Sequence, residues 1–279
     1  MDFKKQNPAE QSATREAPIG IFDSGVGGLT VYRAIAERLP DESLIYLGDT
    51  ARIPYGTRSR ETIERYAIED AGFILSKNVK AIVIACNTAS SFAADILRKR
   101  YSVPILGVIR AGSQRAAAAT RNGRIGVIGT EATVASRAYE KALKAIRADL
   151  EVYARACPLF VPLAEEGWIE HSVTRQVAEE YLAELRGNRI DTLVLGCTHY
   201  PILRQVIQQV MGDDVTLIDS GEAVATVVAE MLAREALTSS GTTSRSEQFF
   251  VTDSAARFRR VAELFLGRQI DSLETVSLE

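Results

Sequence analysis

The chain has 279 residues, of which 46% are hydrophobic and 25% are charged, so it is long enough for two domains of a soluble globular protein. A net charge of −3 leaves no basic excess for phosphates, which argues against a direct nucleic-acid binder, and no apolar run is long enough to span a membrane. Only three cysteines, and no apolar signal-peptide core at the N-terminus, predict a cytoplasmic protein with reduced thiols.

In chain order, residues 1–17 are polar and lack hydrophobic periodicity, which predicts a disordered tail. Strands and helices then alternate. Apolar, β-branched runs predict strands at 19–22, 43–47, 81–85 and 104–107, and helices are predicted to about residue 38 after a glycine-rich turn, at 61–77 and from 87 to about 100. This alternation is typical of an α/β fold with mostly parallel sheets.

The strand pattern starts again in the second half of the chain, with predicted strands at 125–130, 193–196 and 215–219. Equivalent positions in the two copies are 106, 111 and 112 residues apart, counted from Ile19 to Ile125, from Cys86 to Cys197 and from Val103 to Val215. Nearly constant offsets predict an internal duplication. We therefore expect two pseudo-symmetric Rossmann-like domains with the active site in the cleft between them.

The last 60 or so residues have no counterpart after the first repeat. A helix to about residue 234, a Ser/Thr-rich loop at 235–246, a strand at 247–252, a helix to about 266 and a final strand at 270–273 are predicted. We expect this segment to pack back on the first domain. The predicted division is 18–111 plus 219–279 for the first α/β domain and 112–218 for the second.

Two cysteines occupy equivalent strand ends in this duplicated pattern. Cys86 follows the apolar run 81–85 and precedes small polar residues that favour a helix start, and Cys197 follows 193–196 in the same way. The positive end of a helix dipole and its N–H groups favour a thiolate there. A single such cysteine is often a small buried hydrophobe, but two at equivalent places favour a functional pair. Cys157 lies outside the pattern, and we interpret it as structural.

In parallel sheets, ligands bind at the carboxyl ends of the strands. The polar residues predicted there are Asp23, Ser24, Asp49, Asn87, Thr88, Thr198 and His199. His199 is interpreted as an acid–base partner, with a cap or packing role as the alternative, and His171 as a solvated residue. No metal site is expected, because the chain has two histidines and no C-x-x-C motif.

The glycine turn Gly25–Gly28 is neither a P-loop nor a dinucleotide fingerprint. It is either a simple tight turn or a nest of N–H groups for an anion.

Two thiols facing each other across a cleft suit the inversion of a carbon centre. One base removes a proton from one face, and an acid on the opposite face returns a proton. A thiolate and a thiol can exchange these roles, so that the reaction runs in both directions.

Four motifs closely resemble those of the glutamate racemase family: 23–29, 48–50 with 54–56, 86–89 and 196–201, in order between residues 19 and 221. The resemblance implies interconversion of L- and D-glutamate without a cofactor, supplying D-glutamate for peptidoglycan. It implies that Cys197 deprotonates L-glutamate, that Cys86 deprotonates D-glutamate, and that Asp23 and His199 assist them. None of the seven lysines lies in these motifs to form a Schiff base with pyridoxal phosphate.

The resemblance also implies roles for other residues. Those that would bind substrate are Asp23, Ser24, Tyr55, Gly56, Asn87, Thr88, Thr198 and His199. Asp49 would lie near the site, and Glu165, or the adjacent Glu166, would neighbour His199. The partners that it implies are the substrate glutamate, a second copy in a homodimer and, as for some members of the family, DNA gyrase.

Two alternatives stay open at this point. The chain could be a non-catalytic protein whose two Rossmann-like lobes clamp an amino acid, or a racemase or isomerase for another small acid. Loss of the optical rotation of glutamate without added cofactor would distinguish an enzyme from a binding protein.

Overall fold

The structure is a computed structural model that describes residues 14–242 and 244–278. The strands are β1 (Ile19–Asp23), β2 (Leu44–Gly48), β3 (Ala81–Ile84), β4 (Ile105–Gly107), β5 (Arg124–Gly129), β6 (Glu151–Ala156), β7 (Thr192–Gly196), β8 (Thr216–Asp219), β9 (Glu247–Val251) and β10 (Glu274–Thr275). The helices are α1 (Leu29–Arg38), α2 (Arg60–Ser76), α3 (Asn87–Arg100), α4 (Val108–Ala119), α5 (Glu131–Ala135), α6 (Ala138–Ile146), α7 (Phe160–Glu165), α8 (Ser172–Gly187), α9 (Arg204–Met211), α10 (Ser220–Arg234) and α11 (Ala255–Leu266).

The strands form two sheets, ordered β10-β9-β2-β1-β3-β4 and β6-β5-β7-β8. All the strand pairs in these sheets are parallel. The order β2-β1-β3-β4 in the first sheet matches β6-β5-β7-β8 in the second, strand for strand. This confirms the predicted α/β class and the equivalence of the strands that precede Cys86 and Cys197.

The C-terminal segment extends the first sheet, because β9 pairs with β2 and β10 pairs with β9. The predicted final strand at 270–273 was wrong, and the strand lies at Glu274–Thr275. Gly267, with φ +78°, ends α11, and the Ile270 carbonyl accepts a hydrogen bond from Arg259 Nη1 at 3.0 Å. Ile270 is therefore buried as part of a loop rather than a strand.

The predicted domain boundary between residues 111 and 112 falls inside α4. This helix follows β4 directly and packs against α6 and α10. The predicted disordered tail, 1–17, lies outside the described residues except for 14–17. Those four form a turn in which the Ala17 N–H donates to the Thr14 carbonyl at 3.0 Å.

The central strands are buried along their whole length, as in β1, β2, β3 and β7. Helices cover both faces of such strands, which explains their continuous apolar runs. None of the helices in the described ranges is long and apolar enough to cross a lipid bilayer.

A buried ion pair fastens both terminal segments to the first sheet. The Lys80 ammonium, fully buried just before β3, pairs with the Glu42 carboxylate. It also donates to the carbonyls of Arg15 at 2.6 Å and Leu237 at 2.8 Å. The Glu42 carboxylate accepts from the Ser239 N–H at 2.8 Å. The pair therefore joins the N-terminal turn to the connection between α10 and β9.

Replacing Lys80 by methionine should lower the free energy of unfolding by about 3–5 kcal/mol, because the Glu42 carboxylate stays buried without its partner. The double variant Lys80→Met, Glu42→Gln should recover part of this loss. Urea denaturation of both variants measures the difference. If the single variant were no less stable than the double one, Lys80 would not be needed to balance the charge of the buried Glu42 carboxylate.

Candidate active site

Cys86 occupies the junction of β3 and α3, where its side chain caps the helix. The Ala89 N–H donates to its Sγ at 3.4 Å, and the thiol lies 3.6 Å from the Ser24 hydroxyl. Burial, followed by the nearby Asp23 carboxylate, raises the pKa of the Cys86 thiol to about 12. Cys86 is therefore protonated at neutral pH and can act as a proton donor.

Cys197 follows β7 at the equivalent position, but its surroundings are different. Its Sγ lies 3.8 Å from His199 Nδ1, and His199 Nε2 lies 3.0 Å from Glu165 Oε1. Burial opposes the charged imidazole, yet the hydrogen bonds with Cys197 and Glu165 raise the pKa of His199 to about 10. The pKa of Glu165 is lowered despite burial, because it faces His199 and Arg257. A positive charge is thus held beside this sulfur atom.

The carboxylate of Asp23, at the end of β1, is fully buried near Cys86 and His199. Burial raises the pKa of Asp23, and the neighbouring His199 and the N–H groups of Gly25 and Gly28 oppose this effect. The Gly25 N–H donates at 3.0 Å, and Thr198 Oγ1 donates at 3.4 Å from the second sheet. The glycine turn is therefore a nest of N–H groups whose anion is Asp23 itself.

The first turn of α3 carries two more of the predicted residues. Asn87 Oδ1 accepts a hydrogen bond from the Tyr139 hydroxyl at 2.7 Å. Thr88 Oγ1 lies 2.9 Å from Thr130 Oγ1 and 3.1 Å from Thr133 Oγ1. These contacts join the start of α3 to the second sheet's helices α5 and α6. The N–H groups of the first helical turn and these hydroxyls form a polar surface suited to a carboxylate.

The loop after β2 lies close to this surface, but the Tyr55 phenol faces another way. Its hydroxyl donates to Asp49 and, at 3.0 Å, to Asp70. Gly56 lies against Thr130, since a Cβ at Gly56 would be 2.8 Å from Thr130 Cβ. The loop therefore presents backbone atoms at Gly56, while Asp49 and Tyr55 hold the loop in place.

The structure thus brings together Asp23, Ser24, Cys86, Asn87, Thr88, Cys197, Thr198, His199 and Glu165 around one buried centre. Glu165, and not the exposed Glu166, faces His199. Sequence analysis did not assign Thr130, Thr133 or Tyr139 to the site. The signal for Thr130 was the duplication, because Thr130 follows β5 at the position equivalent to Ser24 after β1.

The remaining cysteine and histidine make structural contacts. Cys157 is fully buried, and its backbone carbonyl accepts from the Tyr200 hydroxyl at 2.9 Å. His171 caps α8, with Nδ1 accepting from the Val173 N–H at 3.1 Å, and stacks on Trp168. Within residues 14–242 and 244–278, no three His, Cys, Asp or Glu side chains form a group that could hold a metal ion.

Comparison with known proteins gives consistent matches. Residues 19–228 match the family model described as Asp/Glu/Hydantoin racemase. A glutamate racemase of Geobacter metallireducens is 52% identical, over 94% of this chain and 97% of that protein. A glutamate racemase isoform of Bacillus anthracis has a similar crystal structure, with a TM-score of 0.91 and 39% identity, covering 95% of this chain and 98% of that one. The enzyme of Francisella tularensis, crystallised with D-glutamate, has a TM-score of 0.89 and 41% identity, covering 95% and 99% of the two chains.

Gly27→Ala should reduce enzymatic activity while the protein stays folded. The new Cβ would lie 2.5 Å from His199 Nδ1 and 2.5 Å from Thr198 Oγ1, so both side chains must move. A displacement of about 1 Å in such a site can cost about 100-fold in rate. Gly72→Ala in α2 is the matched control, because no atom lies within 4 Å of its Cβ. Steady-state kinetics of both variants check this, and full activity in Gly27→Ala would contradict the assigned geometry.

The charged His199 predicts a dependence of stability on pH. Its pKa is raised from 6.5 to about 10 on folding, so its stabilisation is complete below about pH 6.5 and is lost as the pH rises through about 10. The loss has a slope of up to about 1.4 kcal/mol per pH unit. Urea denaturation of wild type and His199→Asn across this range isolates the effect as a difference. A difference that stayed constant with pH would contradict it.

Proposed function

The chain belongs to the Asp/Glu/hydantoin racemase family, and we propose that it interconverts L- and D-glutamate by two-base proton transfer between Cys86 and Cys197. The observation that carries this proposal is the equivalent placement of the two thiols, after β3 and after β7, with the buried Asp23 near Cys86 and hydrogen-bonded to Thr198, the residue after Cys197. The racemases named above support glutamate as the substrate.

In the direction from L- to D-glutamate, the Cys197 thiolate removes the α-proton from one face of the substrate. The bonding electrons stay on the α-carbon and are delocalised into the carboxylate. The Cys86 thiol then donates its proton to the opposite face, which leaves a Cys86 thiolate and a Cys197 thiol. In the reverse direction the two sulfur atoms exchange roles, so no net proton is gained or lost.

The surroundings of each sulfur support these roles. The His199 imidazolium, held by Glu165, stabilises the Cys197 thiolate. Cys86, with its raised pKa, is a thiol that can protonate the carbanion-like intermediate. The start of α3, with Asn87 and Thr88, would bind the substrate carboxylate and so stabilise the negative charge that develops on it.

Other residues would fix the substrate's orientation. Ser24 lies beside Cys86, and Thr198 lies beside Asp23, so both can contact the substrate's amino or carboxylate groups. Burial of the site excludes water, which strengthens each of these electrostatic contacts. The supply of D-glutamate for peptidoglycan, the cytoplasmic location, the homodimer and the gyrase interaction stay predictions.

Isotope exchange separates the two thiols. Cys86→Ala and Cys197→Ala should each abolish racemisation, because one proton donor is missing. In deuterated water without added cofactor, Cys86→Ala should label L-glutamate preferentially through Cys197, and Cys197→Ala should label D-glutamate through Cys86. Proton NMR of the α-position measures this exchange.

Cys157→Ala is the matched control for these variants and should racemise glutamate normally, with a modest loss of stability. Full racemisation by Cys86→Ala or Cys197→Ala would overturn the two-base mechanism. A wild-type protein that binds glutamate but shows neither exchange nor racemisation would instead support the clamp-like binding protein.

A further inference from the structure

Helix α11 breaks the pseudo-symmetry of the site. The two sheets share a four-strand order, but β9, α11 and β10 extend only the first one. The two thiols are therefore equivalent in position while an additional helix is present near one of them. The contacts of α11 show which thiol this helix supports.

Two residues of α11 contact the pair that supports Cys197. Arg257 Nη2 donates to Glu165 Oε2 at 3.1 Å, while the other oxygen of Glu165 lies 3.0 Å from His199 Nε2. The ring of Phe265 packs edge-on against the His199 ring, with centroids 5.3 Å apart and an angle of 80°. One contact thus fixes the carboxylate and the other fixes the plane of the imidazole.

The helix that makes these contacts is anchored on the first sheet. It packs against α1, and two of its phenylalanine side chains, Phe258 and Phe265, are buried. Phe258 contacts Gly48, at the end of β2, and Tyr46. Glu165 and His199 belong to α7 and to the segment after β7, in the second half of the fold. The contacts from α11 therefore cross from one half to the other.

Cys86 has no comparable support among the described residues. Its sulfur contacts the Ser24 hydroxyl and the Ala89 N–H, and the charged group with the largest effect on its pKa is the Asp23 carboxylate. The support from α11 is thus confined to the Cys197 side.

We propose that Arg257 and Phe265 are positioning residues for the half-reaction at Cys197, acting through Glu165 and His199. They hold the imidazolium 3.8 Å from the Cys197 sulfur and so stabilise its thiolate. They have no such contact with Cys86. This proposal rests on the proposed racemase function, and it assigns a catalytic contribution to a helix outside the duplicated unit.

The expected losses in rate are modest. Arg257 is 57% exposed, so water screens its interaction with Glu165, and Arg257→Gln should lower kcat/KM about two- to fivefold. Phe265 is buried, and Phe265→Leu should lower kcat/KM about two- to tenfold by releasing the imidazole plane. Arg257→Lys keeps the charge and should recover part of the loss.

Rates alone do not distinguish the two half-reactions, because enantiomers have equal free energies and kcat/KM must fall equally in both directions. Primary isotope effects do distinguish them. The α-deuterium of L-glutamate is transferred to Cys197, whereas that of D-glutamate is transferred to Cys86. When the Cys197 step is slowed, it limits the rate more, so the ratio of the L isotope effect to the D isotope effect on kcat/KM should rise.

The experiment measures this ratio for wild type, Arg257→Gln, Arg257→Lys, Phe265→Leu and Arg260→Gln. Arg260 is an exposed arginine on the same helix, and its variant should keep the wild-type rate and ratio. The ratio does not depend on the concentration of active enzyme, so partial unfolding of Phe265→Leu would not produce a change. An unchanged or lowered ratio in both Arg257→Gln and Phe265→Leu would overturn the proposal. Absence of racemisation by the wild type would instead refute the proposed function.

Discussion

The buried carboxylate of Asp23 is the point on which the geometry of the site depends. A buried anion is costly unless hydrogen bonds replace its hydration, and here the Gly25 N–H and the Thr198 hydroxyl do so. One donor comes from each half of the fold, so hydrogen bonds to this carboxylate join the two halves. A Cβ at Gly28 would lie 2.4 Å from Asp23 Cβ, so only glycine allows the turn to close around this group.

Duplication explains the equivalent positions of the two thiols, and the residues that surround each thiol explain how their chemistry differs. Both sulfur atoms follow the third strand of a four-strand unit, which places them at the carboxyl ends of equivalent strands. Cys86 faces the carboxylate of Asp23, and this like charge adds to burial in raising its pKa. Cys197 faces the imidazole of His199, which a second carboxylate keeps charged. The two sulfur atoms therefore lie in different electrostatic surroundings, although equivalent backbone positions hold them.

The sequence was sufficient for features determined by local pattern. The strand before each cysteine and the polar residues after it were predictable, because buried parallel strands are continuous apolar runs and helix starts are small and polar. Strand β6 was missed, since it is a partly exposed edge strand with charged residues at Glu151 and Arg155. Tyr139 reaches Asn87 across 52 positions, and no local pattern signals such a contact. The burial of Lys80 against Glu42 is likewise a tertiary feature that no local pattern signals.

The loop after β2 shows why a residue's presence in a motif does not give the role of its side chain. The Arg52 guanidinium contacts Asp49 at 2.6 Å, Asp70 at 2.9 Å and also Glu69. One cation faces three carboxylates, and burial together with Asp49 raises the pKa of Asp70 well above its usual range. Asp70 therefore holds a proton more readily than a free aspartate does, because a second negative charge beside Asp49 is unfavourable. The Tyr55 hydroxyl is part of this network, so the loop contributes to the site through the backbone at Gly56. Its position is consequently determined by α2, which lies outside every motif that identified the site.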